Sequence, residues 1–405
     1  MVFRPNDLTR RTALASAMAM VAGAMTGCQP APQSRLDLWD NRTGPHLRGV
    51  VIPQRRVYPH LDGPDFLGSG AVGVPVTDEA LARLADRGAN LVILSHPGIY
   101  REDPPYEPDL AIEDALNDII RRCELAGLFV VIGYRTGPGR SEFTFHRDGS
   151  QTWFPPDMIN DRVWSSFEAQ DGWAAMWRRT ALRFKDRRNL AGYLVMVEPN
   201  ANQAGLDASG EALNEWDALR LAERVEGLPA DWPALARRLA ANIREVDVET
   251  PILLCPDGYG FAGFASLLDL HAAPGLVLNL HDYAPRAYTH QDRSRSVEFV
   301  RGSGRFVPPQ AERWCLGEMG VARWAPSAAR YLHERITSLE QQGANWGLFR
   351  GDTGWRVYEA RENMFNTLYG AHPDAVDPQP GNRIDQLIDR GWRRNQVWPG
   401  AIRAV

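Results

Sequence analysis

Two glutamates stand where a carboxylate is costly unless it is hydrogen-bonded or put to use. Glu198 ends the apolar run Val195-Met196-Val197 and is followed by Pro199 and Asn200. Glu318 follows Cys315-Leu316-Gly317 and precedes Met319 and Gly320. Both runs read as strands, which puts both acids at strand ends. Two carboxyls facing one pocket can divide acid/base work. One gives its proton to a departing oxygen, while the other attacks the substrate or activates water. Cleavage of a glycosidic bond needs this pairing, with retention when the carboxyls are ~5–5.5 Å apart and inversion when they are ~6.5–9.5 Å apart. His96, Asp257, Arg350, Asp352 and Trp355 also fall at strand ends and are candidates to line the same pocket. For each of them, a solvated side chain or a salt bridge is the competing reading.

The elements that must position these residues form an alternating series. Eight short β-rich runs cover 47–52, 90–95, 128–134, 192–197, 252–255, 276–281, 313–318 and 345–349. Between them lie amphipathic helical patterns. Ile112, Ala115, Leu116, Ile119, Ile120 and Cys123 recur at three- and four-residue steps, which places them on one helix face. Trp173, Met176, Trp177, Thr180 and Phe184 do the same, as do Ala328, Tyr331, Leu332, Ile336 and Leu339. Thr77 before Asp78 and Glu79 reads as an N-cap, and Gly88 and Gly127 fall where left-handed C-caps are expected. Alternating strand and helix predicts parallel strands with crossover helices. Eight repeats predict closure into a single (β/α)8 barrel. The open doubly wound sheet is the alternative, but no GxGxxG, GxxxxGK[ST] or GxSxG motif is present. The loops after the third and fourth strands, about 135–170 and 199–230, are long, and loops after strands build the catalytic face of such barrels. The first of them carries Phe143, Phe145, Trp153, Phe154, Trp164 and Phe167, either as sugar-stacking rings or as a cluster that packs the loop on itself.

In this order the motifs resemble the cellulase-type glycoside hydrolases, family five of the retaining clan, over about residues 47–368. Leu47-Arg48-Gly49-Val50 resembles the family's first strand, and Arg87-Gly88-Ala89-Asn90 resembles the Gly-x-Asn entry to its second. Glu198-Pro199 matches the Glu-Pro of Asn-Glu-Pro, His281-Asp282-Tyr283 matches His-x-Tyr, and Gly317-Glu318-Met319-Gly320 matches Gly-Glu-x-Gly. The resemblance implies that Glu198 is the acid/base and Glu318 the nucleophile. It implies that Tyr283 donates to Glu318 and holds it ionised while Glu198 keeps a proton. His281 would contact sugar hydroxyls or tune the same network. Trp346 lies in the region of the family's eighth-strand Trp. The chain departs from the pattern at Val197, where the family has Asn, and at Ile93, where it has a second-strand Arg. Its third-strand His is also missing, with Tyr134-Arg135 near that place. Asn200 is the candidate to replace the missing Asn, and Arg135 the candidate to supply the missing charge.

The bulk properties fit this reading. The 405 residues carry a net charge of −5, which gives no sign of nucleic-acid binding. Arg4, Arg10 and Arg11 precede a short apolar run that ends in Met25-Thr26-Gly27-Cys28, a sequence resembling a lipoprotein signal. The expected organisation is a signal peptide over 1–27, a tether over 28–45 and a catalytic barrel over 46–405. The expected location is the cell envelope, lipid-anchored to a bacterial membrane through Cys28. A plain cleaved signal with an incidental cysteine is the alternative. Cys123, Cys255 and Cys315 read as small buried hydrophobes. No cofactor or metal is called for, and the expected partner is a β-linked oligosaccharide, polysaccharide or glycoconjugate. Two other functions compete. One is a non-catalytic carbohydrate-binding or envelope-assembly protein on the same barrel. The other is a metal-dependent hydrolase, which wants a first-strand His-x-His where this chain has His46-Leu47-Arg48.

Overall fold

The eight apolar runs close into one sheet. A computed structural model describes residues 32–62, 70–146, 154–294, 296–349, 364–375 and 377–401. Its strands are β1 (Arg48–Pro53), β2 (Leu91–His96), β3 (Phe129–Tyr134), β4 (Leu190–Leu194), β5 (Ile252–Leu254), β6 (Leu276–His281), β7 (Trp314–Met319) and β8 (Asn345–Phe349). Each pairs in parallel with its sequence neighbours, and β8 pairs with β1 to complete the barrel. All their residues are buried, as befits strands covered by side chains within and helices without. A short antiparallel pair, Arg55–Arg56 with Val72–Gly73, lies outside the barrel.

The helices are α1 (Asp78–Asp86), α2 (Leu110–Leu125), α3 (Phe167–Phe184), α4 (Ala218–Val225), α5 (Trp232–Arg244), α6 (Ala328–Gln341) and α7 (Arg383–Trp392). The stripes on α3 and α6 are buried as their spacing predicts, and on α2 all but Ala115 are fully so. Thr77 accepts from Ala80 N at the start of α1, and Gly88 and Gly127 adopt φ of 99° and 74° at the ends of α1 and α2. The crossings after β5 and β6 depart from the ideal barrel. Among the described residues each holds only short turns, Asp257–Gly260 with Ala262–Leu267, and Arg286–Thr289. No described helix is long and apolar enough to cross a membrane.

One boundary needs correction. The segment expected to be tether, 28–45, belongs to the barrel from about residue 34 onward. Leu38 and Trp39 are buried in the main core, and the Trp39 indole donates to Ala191 O at 3.0 Å. Asn41 bridges Trp314 O and Gly343 O, and Asn345 Nδ2 donates to Leu38 O at 2.7 Å. These partners sit at or beside the N-terminal ends of the strands, so the segment closes the barrel on the side opposite its catalytic face. The Pro-rich composition of 29–33 hid two large apolar side chains that gain by burial just after it.

Candidate functional site

Glu318 owes its position to a bulge. The β6–β7 register runs Leu280 to Leu316 and then His281 to Glu318, so Gly317 is the extra residue, and the β7–β8 register shifts at the same place. A bulge re-aims the side chain beside it. Here only glycine fits, because a Cβ at Gly317 would stand 1.9 Å from Asn279 Oδ1. Glu318 therefore turns inward beside His281 and is almost wholly buried. Tyr283, two residues past His281, donates its hydroxyl to Glu318 Oε1 at 2.7 Å.

Glu198 is placed differently. Strand β4 stops at Leu194, three residues short of the extent its apolar run predicts. Val195 and Val197 still donate to the neighbouring segments, through Leu253 O and Tyr134 O, but the regular ladder has ended. Glu198 then takes a φ of 51°, a left-handed conformation unusual for glutamate. Arg140, fully buried in the loop after β3, holds this turn. It donates to Val197 O at 2.8 Å, to Glu198 O at 2.6 Å and to Arg135 O at 2.8 Å. On the far side, Asp257 accepts from Asn202 N and Gly258 N, and Tyr259 N donates to Pro199 O. The backbone that presents Glu198 is thus clamped from the loops after β3 and β5.

His281 joins the two acids. Its Nδ1 lies 3.2 Å from Glu198 Oε1 and 3.3 Å from Glu318 Oε2. One oxygen of each carboxylate and a ring nitrogen of His281 lie within 4.8 Å of one another, a spacing at which three such ligands could also hold a metal ion. Arg135 makes no direct contact with either acid in this arrangement. Its Nε donates to both oxygens of Glu142 at 2.9 Å, and its guanidinium lies 3.8 Å from the Phe145 ring centre. Its charge still reaches the site and favours ionisation of both carboxyls.

The protonation pattern set by the protein groups alone runs opposite to the expectation. Burial pushes Glu318 up to about 7, the nearby Glu198 charge adds to this, and His281 and the Tyr283 hydroxyl only partly oppose it. Burial also pushes Glu198 up, but the His281 hydrogen bond and charge outweigh it, helped by Arg135 and Arg140, so its pKa is lowered. Desolvation depresses His281, yet the two carboxylates prevail and raise it. The Tyr283 hydrogen bond is present as expected, but burial outweighs it. The two acids share protons as a coupled pair.

Several other expected site residues lie elsewhere. Asn200 is fully buried, accepting from the Trp164 indole at 3.0 Å and donating to Thr144 at 3.0 Å. Its amide is used up in packing the loop and does not replace the missing Asn. Trp346 is second in β8, near the N-terminal end of the strand, and its side chain is fully buried against Glu340 and Gly391 on α6 and α7. His96 pairs in register with Tyr134, whose ring and hydroxyl meet Trp177 and Thr180 on α3, so strand alternation turns His96 outward too. Its Nδ1 lies 2.7 Å from Pro97 O, and burial lowers its pKa to about 4. Asp257 is buried and caps backbone amides, with a pKa raised to about 7 by burial. Among the loop aromatics, Phe143, Phe154 and Trp164 pack inward, which favours the packing reading for these three. Phe167 is 55% exposed at the start of α3, and Phe145 lies beneath the guanidinium groups of Arg135 and Arg140. Cys123, Cys255 and Cys315 are free and buried, as expected. Cys28, Trp153, Arg350, Asp352 and Trp355 lie outside the described residues. The sequence pattern did not point to Arg140 or Asn279. Arg140 stands in a Gly-x-Gly-Arg run within the loop after β3, and Asn279 is a lone polar residue within an apolar strand. That second pattern was the available signal.

Similarity to known proteins agrees with this geometry. No curated protein matches the chain by sequence. Among solved structures, one described as a glycoside hydrolase is 17% identical with a TM-score of 0.58, covering 87% of this chain and all of that one. Endoglucanase Cel5A of Thermotoga maritima is 16% identical with a TM-score of 0.57, over 88% and 99% of the two chains. The cellulose synthase subunit Z of Clostridioides difficile is 13% identical with a TM-score of 0.54, over 85% and 99%. At these identities the likeness speaks for the fold. The model of the family described as cellulase (glycosyl hydrolase family 5) matches residues 65–368, which is most of the sequence and spans both glutamates. The chain belongs to glycosyl hydrolase family 5.

Proposed function

We propose that this glycosidase is a retaining enzyme for β-linked glucan- or mannan-type chains, with Glu318 as nucleophile and Glu198 as acid/base. The observation that carries the reading is the approach of the two carboxylates to one His281 nitrogen, with an oxygen of each inside a 4.8 Å group. That closeness suits direct attack on the anomeric carbon and leaves little room for an intervening water. The substrate class rests on the neighbours. Thermotoga maritima Cel5A is described in complex with cellobiose and with mannotriose.

In the first step Glu318 bonds to the anomeric carbon as Glu198 protonates the departing oxygen. In the second, Glu198 takes a proton from water as that water displaces Glu318. Attack needs the pair's proton on Glu198, whereas the protein groups by themselves favour Glu318. Glu198 is the more open of the two, with 15% side-chain exposure against 6%. A sugar seated over it removes water mainly from Glu198, raises its pKa and draws the proton across. The lipobox-like end at Cys28 supports export and lipid anchoring in the cell envelope, and Cys28→Ala should move the protein from the membrane to the soluble fraction.

The test is to trap the intermediate. An activated fluoroglycoside of glucose or mannose should label the protein at Glu318, as read by peptide mass, and product analysis should show retained anomeric configuration. Inverted product, or a label on another residue, overturns the assignment.

A further inference from the structure

One layer below the acids, Asn279 is fully buried inside the barrel. One end of its side-chain amide lies 3.1 Å from His281 Nε2, the ring nitrogen that faces away from the carboxylates. The other end lies 3.2 Å from Cys315 Sγ, in the space that Gly317 leaves open. The carboxylates decide which end is which. His281 Nδ1 faces an oxygen of Glu198 and one of Glu318 at 3.2 and 3.3 Å, so the neutral ring keeps its proton there and leaves Nε2 in need of a donor. The amide NH2 is that donor, and the Asn279 carbonyl is left to accept from the Cys315 thiol, which burial keeps as S–H. An NH2 group only donates, so it holds Nε2 as an unprotonated acceptor and the proton of the neutral ring on Nδ1.

We propose that Asn279 is a positioning residue that fixes His281 in its Nδ1–H tautomer, so that the ring donates to Glu198 and Glu318 and cannot take the proton of the acid. The catalytic meaning of this rests on the roles proposed for the two glutamates, but the tautomer does not. In the opposite tautomer, bare Nδ1 would sit 3.2 Å from Glu198 and compete with the leaving oxygen for its proton. The groups that act on the ring are few. Glu318 and Glu198 draw it toward the imidazolium, and the Arg135 charge opposes them. Asn279 opposes them as well, because an Nε2–H would meet an amide NH2. Among the described residues, the remaining titratable neighbours are the Tyr283 hydroxyl on Glu318, the Arg140 guanidinium behind Glu198 and the Cys315 and Cys255 thiols, both beside the Asn279 amide.

The experiment is nitrogen-resolved NMR of the whole wild-type enzyme with labelled histidine, read across pH, beside the pH–rate profile of Asn279→Asp. His281 is assigned by the loss of its signal in His281→Phe. In the wild type, the neutral form of His281 should carry its proton on Nδ1, with Nε2 bare. Finding the proton on Nε2 overturns the proposal whether or not the enzyme is a glycosidase. In Asn279→Asp, a carboxylate at this place accepts from Nε2–H and stabilises the imidazolium. That charge lowers the pKa of both glutamates, so both limbs of the kcat/KM profile should move to lower pH by about one unit or more, with KM little changed. An unmoved profile in a folded Asn279→Asp variant also overturns it. Should that variant fail to fold, the wild-type spectrum alone decides.

Discussion

The two acids share one pocket but are held in contrasting ways. Glu318 lies within β7, aimed inward by a glycine bulge and held through its side chain by Tyr283 and His281. Glu198 lies beyond the end of β4 in a left-handed turn and is held mainly through its backbone, by Arg140. The first is buried deeply and kept protonated toward neutral pH. The second is more open and sits among positive charges that favour its anion. A site built this way can exchange a proton between its acids with a modest change in hydration, because the group that substrate covers is the one whose pKa has furthest to rise. Fixing Glu318 firmly while leaving Glu198 at the rim also suits the roles proposed for them. Attack needs a precise line to one carbon, whereas the acid must reach an oxygen that departs.

The largest effect should come from the buried acid. Glu318→Gln removes the proposed nucleophile and should lower kcat by roughly 10^4-fold or more on every aryl glycoside, with the loss indifferent to leaving group. The same variant should gain stability. The folded-state pKa of Glu318 is raised to about 7 from an ordinary 4.5, so the native state binds that proton more tightly than the unfolded chain. The stability this confers is complete below about pH 4.5 and is lost as pH rises toward 7. Glutamine carries no such dependence. Relative to wild type, Glu318→Gln should therefore be more stable at pH 8 than at pH 5, by up to about 3 kcal/mol in chemical denaturation. A difference that does not change with pH would mean that burial does not govern this carboxyl.

Glu198→Gln should separate the two acids by leaving group. With poor leaving groups the rate should fall by about 10^2- to 10^4-fold, the usual range for a lost general acid. With activated leaving groups, which need no proton, bond cleavage should be nearly unaffected and the covalent intermediate should accumulate. A uniform loss across leaving groups would make Glu198 a binding residue.

Arg140→Met probes the backbone hold. The substitution strands three buried carbonyls and frees the turn, so activity should fall about 100-fold, the scale of a ~1 Å misplacement of a catalytic group. Thermal unfolding should also show a loss of several kcal/mol, since a buried, multiply bonded charge is being removed. Arg140→Lys should recover little, because one ammonium cannot reproduce the guanidinium fork.

These contrasts also mark how far the residue pattern could be read. Short apolar runs and period-3.6 patterning located all eight strands and the main helices, because burial on both faces of a barrel writes continuous apolar runs and clear stripes. The acids and the His281–Tyr283 pair were legible because a charged or polar residue at the end of an apolar run is costly to bury unless it is paired or used. Asn200 and Trp346 were misplaced because linear spacing does not say which way a loop amide or a strand's second residue faces. Arg140 was passed over because its work is done on backbone carbonyls, which carry no trace of residue type. The reversed protonation pattern was out of reach, since it depends on burial depth and on two arginines brought close only by the fold.

Tyr283→Phe should give the smallest and most diagnostic change. The hydroxyl donates at 2.7 Å to Glu318 and favours its anion, working with the His281 and Arg135 charges against burial. Without it, the Glu318 pKa should rise above its already high value. In the free enzyme Glu318 holds the higher pKa of the coupled pair, so the basic limb of kcat/KM, which reports loss of the pair's last proton, should move to higher pH. At acidic pH the loss should be about 10-fold, and above the displaced limb much of it should be recovered. The acidic limb, which reports the lowered pKa of Glu198, should stay in place because Tyr283 has no hydrogen bond to that acid among the described residues. If both limbs moved together, the two acids would have to be treated as a single titrating unit, and the contrast between a side-chain hold and a backbone hold would lose its electrostatic half while keeping its geometric one.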